Sequence, residues 1–131
     1  MNTTQIGDFA DDNYLKLDKS CTVKKAIIMF KKSNSTEGYF VDRDNNFLGK
    51  LKLIDIIGSD KDDAYKFKEN KFIKLKPSDN INQTIKILSS FVGESIPIID
   101  NQKKMTGIIS ENDVLKIYTD ISNQIRSIEK S

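Results

Sequence analysis

The chain has no histidine, no tryptophan and only one cysteine, Cys21, among its 131 residues. Those absences remove Ser-His-Asp and Cys-His catalysis, histidine-containing zinc sites and any internal disulfide. Cys21 reads as a small residue near a helix start rather than a nucleophile. Glycine is sparse, and Gly49, Gly58, Gly93 and Gly107 stand alone, outside the GxGxxG and GxxxxGK[ST] spacings that cradle phosphates. The longest unbroken apolar run, Ala26–Ile27–Ile28–Met29–Phe30, is far too short to span a bilayer, and no signal peptide precedes it. Neither sign of charge dominates, since a net charge of +2 creates no whole-molecule field toward nucleic acid. A catalyst built from this chain would have only carboxylates, lysines and hydroxyls. The expectation is therefore a protein that is not an enzyme, needs no metal, and is cytoplasmic or the cytosolic tail of a membrane-bound parent.

What is present is the balance of one soluble globular domain, with 37% hydrophobic and 31% charged residues. Residues 1–13 carry few apolar side chains and read as a loose N-terminal arm, with Ile6 and Phe9 able to dock. Tyr14–Leu17 reads as a strand. Thr22 or Ser20 can cap a helix over residues 23–32, with Val23, Ile27 and Phe30 on one face. Tyr39–Val41 and Phe47–Leu51 read as strands joined by the turn-forming run Asp42–Asn46, and Ile54–Ile57 as a short helix ending at Gly58. Residues 59–70 are polar, without an apolar period, and read as a linker or a broken helix.

The same order then starts again over residues 71–131, with strand Phe72–Leu75, a helix lined by Ile81, Ile85 and Leu88, and strands Ile96–Ile99 and Met105–Ile109. An ungapped register at an offset of 58 pairs Leu17 with Leu75, Ile27 with Ile85, Asp42 with Asp100, Gly49 with Gly107 and Asp55 with Asp113. The chain is thus a duplicated βαββα unit, an α+β fold. Residues 14–58 form the first motif and 71–131 the second, each too small to bury an adequate core alone. The halves are expected to pack together about a pseudo-two-fold axis, with a cleft on either side of it. From Glu111 to about Ser127 a long C-terminal helix is expected. Its Val114, Tyr118, Ile121, Ile125 and Ile128 form a heptad-like seam, suited to the domain's own core or to a second copy.

The stretch Gly107–Ile108–Ile109–Ser110–Glu111–Asn112–Asp113 reads as a strand that turns straight into a helix. Ser110 is a natural N-cap, and Asp113 sits where a carboxylate suits the positive helix end. That is a capping box, and the same free amides, hydroxyl and carboxylate suit a ligand bearing ribose and phosphate.

On these residues the chain resembles the CBS-domain pair, or Bateman module. The resemblance is carried by Ile96–Pro97–Ile98–Ile99–Asp100 and by Met105 to Leu115, and more loosely by Tyr39–Asp42 and Gly49–Asp55. It implies a non-catalytic regulatory module that binds an adenosine-containing ligand (AMP, ADP, ATP or S-adenosylmethionine) and dimerises. No cofactor is required; the adenine nucleotide is a regulatory ligand. It also implies that Asp113 and Ser110 hold the ribose and phosphate, that Ile96, Pro97 and Ile98 wall the adenine, that Ser35 and Thr36 close the cleft, and that Asp55 serves a weaker second site. The first half departs from the pattern, with Lys52 where the second has Ser110 and Tyr39 where it has Pro97. The tail is similar to that of chloride-channel-family pairs, so the partner would be the membrane or catalytic part of a larger protein. Lys16, Lys74 and Lys76 are candidates to meet phosphates, although a solvated surface lysine is the better reading of each. A purely structural dimerisation module without ligand is the alternative. Nucleic-acid binding through Lys24, Lys25, Lys31 and Lys32 is disfavoured by the near-neutral charge and by the absence of exposed aromatic clustering.

Overall fold

The computed structural model describes residues 5–59, 62–90, 93–116 and 119. The first half contains β1 (Leu15–Leu17), α1 (Val23–Ser33), β2 (Glu37–Val41) and β3 (Phe47–Lys52), with β2 parallel to β1 and antiparallel to β3. Helix α1 starts where the Thr22 side chain accepts a bond from the Lys25 amide, and stops where Asn34 turns left-handed at φ 52°. It buries Val23, Ala26 and Phe30 among Leu17, Phe40 and Leu51, each large side chain contributing roughly 1.5–3 kcal/mol.

The second half repeats this with α2 (Ile81–Leu88), β4 (Ser95–Ile99) and β5 (Met105–Ser110). Strands β4 and β5 begin and end 58 residues after β2 and β3. The pairing is duplicated as well: Phe40 opposes Gly49 as Ile98 opposes Gly107, and the ladder is irregular between Phe40 and Val41 as between Ile98 and Ile99. The counterpart of β1 shrinks to one parallel bridge, Leu75 to Ile98, matching Leu17 to Phe40. The duplicated βαββα, α+β architecture expected from the offset is what the chain adopts.

The arm differs from the expectation of a loose segment. Ile6 is fully buried with Ile81, Leu88, Ile96 and Ile109 in the second core. The backbone is tied down too, since the Gly7 amide donates to Pro77 and Asp11 exchanges two bonds with Ile108. A Cβ on Gly107 would lie 2.7 Å from that of Ala10 and 2.9 Å from the Asp11 carbonyl oxygen, so only glycine lets the arm approach β5. Segment 63–70 does the same for the first half. Its 3-10 helix Ala64–Phe67 lies 58 residues after Ile6–Phe9, and Glu69 donates to Lys50 as Asp11 does to Ile108. The duplication therefore reaches back to residue 5, and the arm crosses over to complete the second core. A single buried isoleucine in a polar stretch leaves no periodicity to read.

The halves meet where equivalent residues touch each other, which happens only beside a pseudo-two-fold axis. Glu37 binds Ser95, and Asn46 bridges to Lys104. The two hairpin turns are built alike: Asp42 Oδ1 accepts from the Asp44 and Asn46 amides, and Asp100 Oδ1 from those of Gln102 and Lys104. Phe47 then donates to the Lys103 carbonyl and Met105 to that of Asn45, a reciprocal pair across the axis. Residues 111–116 are α-helical. Most of the expected long helix, including Tyr118, Ile121, Ile125 and Ile128, lies outside the described residues. Among the described residues no helix is long and apolar enough to cross a membrane.

Candidate functional site

At the end of β5 the Ser110 amide and hydroxyl both donate to Asp113 Oδ2, at 2.8 and 3.0 Å. The Asp113 side chain thus reaches back to the Ser110 amide, which is one half of a capping box, while the Ser110 hydroxyl donates to the same carboxylate rather than accepting from a helix amide. Oδ1 accepts no hydrogen bond among the described residues, and both side chains remain half-buried. The arrangement leaves a fixed carboxylate oxygen, a hydroxyl and helix-start amides on one rim. Such a rim can accept from ribose hydroxyls through charge-assisted bonds and can donate to a phosphate.

The equivalent rim of the first half is built differently. Lys52 gives no side-chain cap, and only the 3-10 turn Leu53–Asp55 comes after it. Asp55 is exposed and takes no hydrogen bond among the described residues. The Lys52 ammonium instead bridges two carboxylates, Glu69 at 3.2 Å and Glu94 more closely. The Glu94 hydrogen bond is the chief cause that raises the Lys52 pKa, and the same bond holds Glu94 below the ordinary carboxylate range. Glu94 belongs to the second half and sits 58 residues after Thr36, so the bridge pins one half to the other. It also stands between two cavities. One, of about 310 Å³, is lined by Lys50, Phe72, Ile73 and Ile96, and the other, of about 280 Å³, by Thr36, Leu53, Ile54 and Ile57; Lys52 and Glu94 line both.

Behind this bridge lies a buried polar cluster. Glu37 and Lys50 form an ion pair, Lys50 donates to the Ser95 carbonyl at 2.7 Å, and Glu37 Oε1 accepts from the Ser95 amide and hydroxyl at 2.9 and 3.0 Å. The Ser95 proton is thereby committed to Glu37, so the Tyr39 hydroxyl is the donor in its short contact with Ser95 Oγ. Burial pushes the Tyr39 hydroxyl pKa well up. Tyr39, which reads from sequence as a drifted position, is a planned contact. Glu37, Lys50, Glu69 and Glu94 escaped sequence reasoning altogether. Their signal was present in the repeat: the second-half counterparts of Glu37, Tyr39, Lys50 and Lys52 are Ser95, Pro97, Ile108 and Ser110. Moreover Glu37 opposes Lys52 and Tyr39 opposes Lys50 across the ladder, so the four changes share one sheet face.

The remaining expected residues are spread over the described surface. Ile96 and Ile98 are buried in the second core, Ile96 also lining the larger Lys52 cavity, and Pro97 is buried between them. Thr36 lines the smaller Lys52 cavity. Ser35 lines a separate cavity of about 320 Å³ with Asn13, Tyr14, Leu15 and Lys16. These tyrosine and leucine positions match Phe72 and Ile73 of the Lys52 cavity at the 58-residue offset; neither Ser110 nor Asp113 lines any of these four cavities. Lys74 and Lys76 line a cavity with Asp79, Asp100 and Lys103 by the Ile99 end of β4, opposite the end that pairs with Ser110. Among the described residues no group of three potential metal ligands exists.

Residues 67–120 match the family model for the CBS domain. No curated protein sequence matches the chain. Among solved structures, a CBS-pair protein from Arabidopsis thaliana, CBSX2, superposes with a TM-score of 0.83 at 14% identity, covering 93% of this chain and 99% of that one. CBSX2 in complex with AMP gives a TM-score of 0.80 at 16% identity over 90% and 98%. The cytosolic domain of the Mg2+ channel MgtE in complex with ATP gives 0.76 at 18% identity; 86% of this chain is covered, and it spans 48% of that domain. At these identities the likeness speaks to fold. Residues 67–120 thus match the CBS-domain model, and the chain as a whole has the fold of a CBS-domain pair.

Proposed function

We propose that the chain is a non-catalytic regulatory module that binds one adenosine-containing ligand, such as AMP, ADP, ATP or S-adenosylmethionine, in the cleft beside Ser110 and Asp113. The observation that carries this is the asymmetry between the rims. Asp113 and Ser110 present an available carboxylate oxygen, a hydroxyl and helix-start amides, whereas Lys52 is held by Glu94 and Glu69, and Asp55 lacks a cap. The AMP complex of CBSX2 and the ATP complex of the MgtE cytosolic domain, both of similar fold, support the ligand class. In this reading Asp113 and the Ser110 oxygen accept from the ribose hydroxyls, the helix-start amides donate to a phosphate, Pro97 and its neighbours Ile96 and Ile98 wall the base, and Ser35 closes the cleft from the first half. Asp55 is at most a weak second site.

The motifs are taken as residues 14–58 and 71–131, with the arm and linker as their complements. The module acts in the cytoplasm on an attached or partner protein. That partner is a membrane transporter or channel, of the chloride-channel kind that the tail resembles or the magnesium kind among the structural neighbours. Exposed Ile54, Ile57 and Leu115 support dimerisation, Ile57 and Leu115 being 58-residue equivalents on matching surfaces.

Thermal unfolding with each nucleotide tests the reading. A ligand at about 100 times its dissociation constant stabilises by roughly 2.7 kcal/mol, a rise of roughly 8–12 °C for a chain of this size. Asp113→Ala should abolish that shift while lowering the ligand-free midpoint by only the cost of a cap, about 1 kcal/mol. No shift with any nucleotide would leave the structural dimerisation module standing.

A further inference from the structure

Helices α1 and α2 are duplicates with different outer faces, and the difference is not one the fold requires. Their buried positions correspond: Val23, Ala26 and Phe30 in α1 match Ile81, Thr84 and Leu88 in α2. On the exposed side, Lys24 and Lys25 of α1 stand where α2 has Asn82 and Gln83, and Lys31 and Lys32 stand where Ser89 and Ser90 follow the last residue of α2. The chain thus shows within itself that the first turn of this helix folds on neutral polar residues. Two of the lysines also work against their own helix, because Lys24 and Lys25 lie in the first turn, where positive charge is unfavourable. Lys31 and Lys32 sit in the last turn and suit the dipole. The helix itself carries no acidic residue, and none of the four lysines forms an ion pair among the described residues. Asp62, beside the helix start, is engaged by Lys66 at 3.6 Å. In the middle of the four lysines Ile28 is 48% exposed.

We infer that the outer face of α1 is a docking surface for an anionic membrane surface. The face is convex, about 16 Å long for an 11-residue helix, and lines none of the described cavities. A peptide or free nucleotide needs a concave seat, which this face does not offer. Nucleic acid is best met by arginine and exposed aromatic side chains, and the face has neither. A bilayer asks for neither concavity nor aromatics. Lysine ammoniums reach the anionic headgroups while their stems and Ile28 lie along the interface. The contact is peripheral, and it is independent of whether a nucleotide occupies the cleft.

The test is co-sedimentation of the full chain with vesicles of phosphatidylcholine alone and with phosphatidylserine added, at low and high salt. Binding should require phosphatidylserine and weaken as salt screens the charges. The variant Lys24→Asn, Lys25→Gln, Lys31→Ser, Lys32→Ser gives α1 the residues found at the 58-residue offset. It should still unfold cooperatively and lose partitioning by roughly fivefold for each lysine removed. Ile28→Ser should bind at low salt but lose what remains at high salt. Wild-type protein that ignores phosphatidylserine vesicles overturns the inference, as does equal binding by the four-lysine variant. Retention of duplex DNA or an acidic peptide without vesicle binding would overturn the lipid assignment, and so would an Ile28→Ser chain that partitions as wild type at every salt concentration.

Discussion

Lys50→Ile, which puts the residue of the second half at its first-half equivalent, is the sharpest probe of how the two halves are joined. Lys50 is 4% exposed and holds both the Glu37 carboxylate and the Ser95 carbonyl. Without it, Glu37 Oε2 has no other partner, since only Oε1 accepts from Ser95. Leaving one charge of a buried pair alone costs about 3–5 kcal/mol, whereas replacing both charges is often close to neutral. The double variant Lys50→Ile, Glu37→Ser removes the stranded carboxylate as well. It gives up three bonds to Ser95, two to Glu37 and one from Lys50, so about 1.5 kcal/mol of loss should remain. Urea unfolding reads the difference. With a slope on the order of 1.5 kcal/mol per molar, the single variant should drop the midpoint by roughly 2 M, and the double should regain more than half of it. A single variant that loses less than about 1 kcal/mol would refute the buried-pair argument, because it sets that loss at the cost of stranding a carboxylate. A double variant no better than the single would do so as well.

Gly107→Ala should cost about 1–3 kcal/mol by overpacking β5 against Ala10 and Asp11, and residues 5–12 should lose hydrogen-exchange protection before the rest. Ile6→Ala, at a fully buried position, should cost about 2–5 kcal/mol; a truly loose arm would show almost no change on chemical unfolding. For the Lys52–Glu94 bridge the two directions of shift bracket a pH window. The lowered Glu94 contributes stability above its ordinary carboxylate pKa and loses it as acid protonates it; the raised Lys52 contributes below its ordinary ammonium pKa and loses it as strong base deprotonates it. Glu94→Gln should therefore be less stable than wild type near neutral pH and show a flatter acid limb between about pH 5 and pH 3, where the two profiles converge, and identical acid profiles would refute the bridge. Lys103→Asn places at φ 67° the residue type that Asn45 supplies at φ 63°, and should raise the unfolding midpoint by the equivalent of about 0.5–1 kcal/mol.

The strands were legible because apolar residues recur at one register in both halves. Val41 and Ile99, or Leu51 and Ile109, name each other at the 58-residue offset. Helix α1 was legible through Thr22 and the Val23–Phe30 spacing. The arm was not, because Ile6 is one buried residue amid polar neighbours and its partners lie more than 70 residues on. The capping pair Ser110–Asp113 could be read from three-residue spacing, and it forms. The Lys52 rim was readable as a departure but not as a structure. Its partners Glu69 and Glu94 come from the linker and from the other half, and no local pattern joins them. The same holds for Lys50, which looks like a solvated strand lysine until the pseudo-axis brings Ser95 against it.

The most direct measurement of the central claim is a calorimetric titration of the chain with AMP, ADP, ATP and S-adenosylmethionine, repeated on Asp113→Ala and Asp55→Ala. A single site per chain is expected for at least one of these ligands, abolished by Asp113→Ala and retained in Asp55→Ala. Binding that survives Asp113→Ala, or that is lost only with Asp55→Ala, would contradict it.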